Sequence, residues 1–393
     1  MEPHDAHNDN SPEMRMPTLN ELKACQFSNW YPKFRSLNNS SNRSENDPFY
    51  PHNNITIRSI VISPLSPEFI DYLKSDGVVL PKGAQEVSSF LPTDTKDCWS
   101  SDEEDENDDG DENVDHNSTE EVYFPQLNQE IKNALDSLGP CMPKLNWSAP
   151  KDVTWLNEST LKCSTVGDVY LLLKSSDFVL HDLEHALDGI NVGADIDVDE
   201  RKWQNEQFEL ILRKWSNLHA SMEFRCFVSK HELVGICQRN HTQHYPFLKK
   251  EYMQLRSHII DFYDTYIYRT FADGEIEDFA FDIYIDKNER IWLLDFGLWS
   301  KRTDALMFTW EELSKYSADE AFACKGTSSD DIELVENTRP VMRVVMNENE
   351  VHYDPLASYR APIDTVNLAS TEEDSLNWKN FMAMCSKPSD HED

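Results

Sequence analysis

The chain has 393 residues, of which 36 are basic and 72 acidic, and a formal net charge of −36. That length holds two or three domains. The charge excludes general binding to nucleic acid or anionic membrane, because phosphates would be repelled, so an anionic ligand needs a local basic pocket.

The eight cysteines form no C-x-x-C pair, the N-terminus MEPHDAHNDNSPEM is polar, and no apolar run reaches the length of a membrane span. These features point to a reduced cytosolic or nuclear protein without signal peptide or membrane span, and the cytoplasm is the expected place. Residues 1–16 read as a disordered tail. LNELKACQFSNWYPKF, within 17–35, reads as a short docked helix and turn, and LNNSSNRSENDP after it as a loop. ITIRSIVISPL (55–65) alternates and is β-branched, so it predicts a strand, and PEFIDYLKSDG (67–77) predicts a helix stopped by Gly77. Residues 17–82 therefore form an N-terminal lobe. Residues 83–121 are a polar, acidic linker with nine acids between Asp102 and Glu112, too poor in apolar surface to fold alone. Ser100 and Ser101 precede that run and suit an acidophilic kinase, with an unmodified linker as the default reading.

YFPQLNQEIKNALDSLG (123–139) predicts an amphipathic helix, and DVYLLLKSSDF (168–178) a strand and turn, within a lobe spanning 122–200. FELILRKWSNL (208–218), EFRCFVS (223–229) and ELVGICQR (232–239) predict successive strands. A long helix follows over 249–267, then FAFDIYID and ERIWLLDF as a hairpin, completing a lobe over 201–320. Residues 321–393 read as a mostly disordered acidic tail, with a short helix over 371–384.

The hairpin contains the string Asp295-Phe296-Gly297. In protein kinases Asp-Phe-Gly holds Mg²⁺, but no G-x-G-x-x-G loop and no H-R-D loop accompany it here. A two-residue turn at Lys287-Asn288 would set Asp282 opposite Leu293 and Ala280 opposite Asp295. The two aspartates would then be diagonal neighbours on one face, about 7–8 Å apart. That spacing suits Mg²⁺ held between carboxylates and phosphates, whereas a three-residue turn would put them on opposite faces. The alternative is that each sits at a strand end, in water or in an ion pair. Lys144, Lys151, Lys174, Arg213, Lys214, Arg225 and Arg239 supply cations for an anionic ligand, with surface salt bridges as the competing reading. His181-Asp182-Leu183-Glu184-His185 matches the inverted zinc-protease motif H-x-x-E-H, yet ends quickly at Asp188-Gly189 with no third ligand in a helical context.

CQFSNWYPKF, PKLNWSAPKD, LLLKSSDF, ELILRKW, EFRCFV and LMFTWEEL, in this order, resemble the cell division cycle protein 123 family over most of residues 20–315. The resemblance implies an α+β, ATP-grasp-like fold: two lobes around a nucleotide cleft, a small N-terminal domain, an acidic linker and a disordered tail. It implies an ATP-dependent chaperone that binds the gamma subunit of eukaryotic translation initiation factor 2 and promotes its joining with the alpha and beta subunits, acting as a monomer. By motif, Lys144, Asn146, Ala149 and Lys151 would line an ATP pocket, with Lys151 standing where relatives carry Arg. Lys174 would contact phosphates. The backbone near Lys214 and Trp215 would meet adenine with Arg213 beside it. Arg225, Gln238 and Arg239 would face ribose or phosphate, and Asp282 and Asp295 would hold Mg²⁺. Relatives read Asp-Phe-Asn-Pro where this chain has Gly297, so one metal ligand is missing.

Three function classes remain open: an ATP-binding assembly factor, a ligase or kinase using the same pocket, and an acidic scaffold with a degenerate pocket. In the first, the partner surface includes Phe27, Trp30, Tyr31 and Phe34, unless these aromatics are a docked core segment.

Overall fold

The computed structural model describes residues 14–37, 54–88, 122–157, 159–193, 208–318 and 338–353. The acidic run, Ser100, Ser101 and the 371–384 helix lie outside the described residues. In chain order the regular elements are α1 (Leu19–Ala24), α2 (Phe27–Ser36), β1 (Ser59–Ile62), α3 (Pro67–Lys74), α4 (Pro125–Leu138) and β2 (Cys141–Lys144). There follow α5 (Val166–Lys174), α6 (Asp177–Glu184), β3 (Leu210–Lys214), β4 (Glu223–Ser229) and β5 (Glu232–Gln238). The last are α7 (Pro246–Phe262), β6 (Phe279–Ile285), β7 (Ile291–Leu298), α8 (Trp310–Ala318) and β8 (Val341–Arg343). None of the described helices is long and apolar enough to cross a membrane.

The chain divides into two compact units. Among the described residues, one comprises 59–88, 122–157, 159–184 and 208–215 and contains an antiparallel three-stranded sheet, β1-β3-β2. The other comprises 14–37, 54–58, 185–193, 216–318 and 338–353 and contains a five-stranded sheet, β7-β6-β4-β5-β8. The α+β class expected from the sequence is the class observed.

In the smaller-sheet unit, the central strand β3 buries Leu210, Ile211 and Leu212 completely. The segment expected as a strand and turn over 168–178 is instead α5 followed by the start of α6. Thr165 and Asp168 form a capping box that nucleates α5. Every residue from Gly167 to Leu173 is buried, so this helix has no polar face to reveal its period. The apolar run Val169–Leu173 reads equally as a buried strand, and the cap decides. Gly167 lets the 84–88 segment lie directly on the helix: a Cβ there would come within 2.3 Å of the Glu86 carbonyl oxygen and 2.5 Å of that of Ala84.

In the larger-sheet unit, β4, β5, β6 and β7 pair antiparallel, and β8 joins β5 in parallel. The sequence reading assigned no strand after residue 320, but β8 buries Val341 and Met342 against the sheet. At three residues, Val341–Arg343 is too short to show an alternating period. Long helix α7 ends at Phe262 and passes into one π-helical turn, Tyr263–Ile267.

The β6–β7 hairpin corrects the expected register. Its turn is three residues long, with the Asp286 amide donating to the Arg290 carbonyl at 2.9 Å and Glu289 in the left-handed region at φ 60°. Taken alone, that turn would send Asp282 and Asp295 to opposite faces. A β-bulge follows, however: Ile283 pairs with Leu293, but Asp282 pairs with Asp295, leaving Leu294 as the extra residue. Two one-residue irregularities cancel, and the aspartates stand directly opposite each other instead of diagonally. A bulge carries no sequence signal here, because Leu293 and Leu294 are both buried.

The opposite face of the hairpin carries Phe281 and Phe296. Phe296 stacks on Phe271 at 4.0 Å between ring centroids and meets Trp30 and Phe34, each at 5.3 Å. Phe27, Trp30, Tyr31 and Phe34 are all buried. Of the two readings of these aromatics, the docked core segment holds: they line the inner face of α2 and offer no open surface to a partner.

Candidate functional site

The pairing of the five strands generates a single row of side chains on one sheet face. Asp295 on β7 pairs with Asp282 on β6, Asp282 with Arg225 on β4, Arg225 with Cys237 on β5, and Cys237 with Arg343 on β8. Beside it runs a second row of Gly297, Ala280, Phe227, Gly235 and Val341. That second row is apolar and is covered by Ala305, Phe308, Trp310 and Leu313 from the segment after β7. The charged row lies at the margin of this cover.

Asp282 is 6% exposed. Arg225 donates to it twice, from Nε to Oδ1 at 2.7 Å and from Nη2 to Oδ2 at 2.9 Å, and Arg239 Nε adds a bond to Oδ2 at 2.9 Å. The third arm of Arg225, Nη1, donates to the Asp304 carbonyl at 2.7 Å. Burial opposes the Arg225 charge, but the adjacent Asp282 carboxylate holds the guanidinium's pKa above its ordinary value. Arg239 also lies 3.6 Å from Glu223. Asp295 is half-buried and accepts the Phe296 amide at 3.1 Å. Gln238, expected at ribose or phosphate, is fully buried. Its Nε2 donates to the Asn240 and Gln243 carbonyls at 2.5 and 2.8 Å, and its Oε1 accepts the Val345 amide at 3.1 Å. It braces the chain past β5.

The other expected residues fall in the smaller-sheet unit. Lys144 ends β2 and is buried, and Asn146 is fully buried, with its Oδ1 accepting the Glu209 amide at 2.9 Å. Ala149 and Lys151 form the tight turn after it, the Lys151 amide donating to the Ala149 carbonyl at 2.7 Å. Arg213 is buried on β3, Lys214 is exposed at its end, and the Trp215 amide donates to the Pro140 carbonyl at 2.8 Å. The Lys174 ammonium donates to the carbonyls of Tyr72 (2.5 Å), Leu73 (3.3 Å) and Ser75, and to the Ser75 hydroxyl (3.0 Å). It caps the C-terminus of α3, where a cation meets the negative end of the helix dipole. Burial pushes its pKa down, against the nearby Asp76.

Carboxylates the sequence reading did not single out explain why these strings are so distinctive. Asp152 accepts the Ser176 hydroxyl at 2.6 Å and the Asp177 amide at 2.7 Å, so PKLNWSAPKD supplies the cap of the helix that LKSSDF begins. Asp182 accepts the Ser148 amide and hydroxyl at 2.8 and 3.0 Å. This gives the H-x-x-E-H segment a bracing role, and His185 lies beyond the last residue of α6, 2.8 Å from Asp188. In the other unit, Glu223 lies two residues from Arg225 on one strand face, a spacing that alternation could have flagged. Asp304 acts through its carbonyl and leaves no trace in the sequence.

Among the described residues no three metal-type side chains come together. A closed protein cage for a metal is therefore missing from that set. Two opposed carboxylates with hard oxygens nevertheless fit Mg²⁺ in kind, since that ion is bound by one or two carboxylates together with phosphates and waters. The flanking arginines supply the charge that a polyphosphate requires.

The chain matches the D123 family over residues 49–369. It is 36% identical over 362 residues to the Xenopus tropicalis "Translation initiation factor eIF2 assembly protein", covering 92% of this chain and 95% of the relative. It is 38% identical over 301 residues to "Cell division cycle protein 123" of Aspergillus terreus, covering 75% of this chain and 63% of the relative. Among solved structures, Cdc123 from Schizosaccharomyces pombe superposes with a TM-score of 0.56 at 30% identity, covering 84% of this chain and 99% of that one. The chain belongs to the D123 family, whose members among its relatives include cell division cycle protein 123.

Proposed function

We propose that this protein is an assembly factor for translation initiation factor eIF2, and that it binds ATP with Mg²⁺ to do so. The observation that carries the first part is the identity of 36%, spanning nearly the whole of both chains, with a relative named for that role. The partner is the gamma subunit, which the protein presents for joining with the alpha and beta subunits. It acts as a monomer in the cytoplasm.

The nucleotide part is supported by the row Asp295–Asp282–Arg225 with Arg239 beside it. Asp282 and Asp295 hold Mg²⁺, and Arg225 and Arg239 orient Asp282 while offsetting its charge. When bound, the metal neutralises phosphate oxygens. Lys144, Asn146, Ala149, Lys151, Arg213, Lys214 and Trp215, which the family resemblance assigns to ATP, are nucleotide-binding residues of their own unit. Lys174 and Gln238 hold backbone carbonyls at the end of α3 and after β5, so their part is to brace those segments.

The test is capture of the eIF2 gamma subunit by the purified protein, with and without Mg·ATP, beside Asp295→Ala. The proposal expects capture by wild type, strengthened by Mg·ATP, and loss of that strengthening in the variant. Failure to capture the gamma subunit in every condition would end the assembly reading. Titration calorimetry without any Mg·ATP binding at millimolar concentration would end the nucleotide reading alone.

A further inference from the structure

Resting on the nucleotide reading, we infer that Thr303 supplies a third protein oxygen to the Mg²⁺ site, at the place where β7 carries no side chain. Gly297 is two residues beyond Asp295 on the same strand, so both face the same way, together with Asp282 and Ala280 on β6. A Cβ built on Gly297 would come within 3.1 Å of Thr303 Oγ1 and 3.3 Å of Thr303 Cγ2. The Thr303 side chain therefore fills the space above Gly297, and its hydroxyl stands on the face that carries the two aspartates.

Its position is held from three sides. The Thr303 amide donates to the Ser300 carbonyl at 2.9 Å, and its own carbonyl accepts the Trp310 indole at 3.1 Å. The carbonyl of the next residue, Asp304, accepts Arg225 Nη1, so the guanidinium that clamps Asp282 also clamps this loop. Among the described residues the Thr303 hydroxyl has no hydrogen-bond partner, whereas its backbone groups are both engaged. A fixed threonine hydroxyl is an oxygen donor of the type Mg²⁺ accepts, directly or through one water. Glycine at 297 is what allows it to approach, so the open position on β7 and the oxygen beside it are one feature.

The experiment titrates ATP into wild type, Thr303→Val and Thr303→Ser, each with Mg²⁺ and with EDTA, after denaturant melts have established that all three fold. Valine keeps the shape and removes the oxygen, and serine keeps the oxygen and removes the methyl. The expected result is an ATP affinity in Mg²⁺ weakened about tenfold in Thr303→Val, an unchanged affinity in EDTA, and a Mg²⁺ response in Thr303→Ser close to wild type. A Mg²⁺ response in Thr303→Val equal to that of wild type overturns the inference. So does a loss in serine as large as that in valine, which would assign the effect to packing. If wild type itself shows no Mg²⁺-dependent ATP binding, the nucleotide reading fails and this inference falls with it, an outcome distinct from the other two.

Discussion

Asp168 and Asp282 are both buried acids crowded with donors, one in each unit, but the donors differ. Asp168 accepts the Ser88 amide (2.7 Å) and hydroxyl and the amides of Ser164 (2.8 Å) and Thr165 (3.0 Å). These are mostly backbone groups, fixed wherever the chain goes. Asp282 accepts three N–H groups from the side chains of Arg225 and Arg239, at 2.7–2.9 Å. Its partners are charged, can be substituted, and can reorient toward a ligand. A carboxylate bound by backbone is architecture, whereas one bound by guanidinium retains chemistry that a polyphosphate and its metal can use.

The largest test of this difference is Asp168→Ala. It leaves three part-buried amides without their acceptor, and no second substitution can remove them, so the expected cost is about 3–4 kcal/mol. Denaturant unfolding measures it, and enhanced proteolysis within 84–88 should accompany it, since that segment is tied to α5 through the same carboxylate. A loss below about 1 kcal/mol would mean the amides find other acceptors.

Arg225→Met comes next. Leaving Asp282 short of its principal partner is expected to cost about 3 kcal/mol. Here a second change can compensate: Arg225→Met with Asp282→Leu should recover most of the stability, because both charged partners have been replaced by apolar groups. Under the nucleotide reading the recovered protein folds but does not bind Mg·ATP. A double variant that folds and binds normally would class Asp282 with Asp168.

Lys174→Met asks the same question of a cation. The ammonium holds the C-terminus of α3, and its loss is expected to cost about 1–2 kcal/mol. ATP affinity measured on the folded variant should stay near that of wild type. A tenfold loss of affinity would return Lys174 to the phosphates, as the family resemblance implies.

How far the sequence discloses this arrangement depends on period and charge. Strands β4 to β7 are legible because turn residues separate β4 from β5 and β6 from β7, and α4 because its apolar face repeats. Helix α5 is not, since a fully apolar element shows no period and only the Thr165–Asp168 box distinguishes it. A two-residue turn puts the aspartates on one face; the true turn is longer, and the bulge at Leu294 restores the shared face. The basic candidates were legible as charge, but which ones hold backbone and which hold a carboxylate is decided by tertiary contacts. Lys174 and Arg225 look alike as interruptions of apolar runs, and only the fold separates them.

Asp286 gives a smaller, pH-dependent test at the hairpin turn. Burial acts to raise its pKa, but bonds from Trp292, Arg290 and the amides of Asn288 and Arg290 outweigh it and lower the pKa overall. A carboxylate with a depressed folded pKa stabilises above its ordinary range, and that contribution disappears as pH falls through the lowered value. Asp286→Asn should therefore flatten the acid limb of the stability curve and leave the limb above neutrality unchanged. An acid limb identical to that of wild type would place the titration elsewhere.

The smallest expected effect belongs to Gly297→Asn. Gly297 is not in the left-handed region, so a side chain brings no backbone strain. Its Cβ meets Thr303 at 3.1 and 3.3 Å and the Ala280 Cβ at 3.8 Å, which requires the 303–305 segment to yield by a few tenths of an ångström. The expected stability change is within about 1 kcal/mol. The amide adds an oxygen on the aspartate face, so ATP binding should persist and its Mg²⁺ dependence should sharpen in calorimetry. Loss of Mg·ATP binding with an unchanged unfolding midpoint would show that the space over Gly297 belongs to the ligand. The face would then be a cleft wall that must stay bare, and the glycine itself the specific feature of this chain.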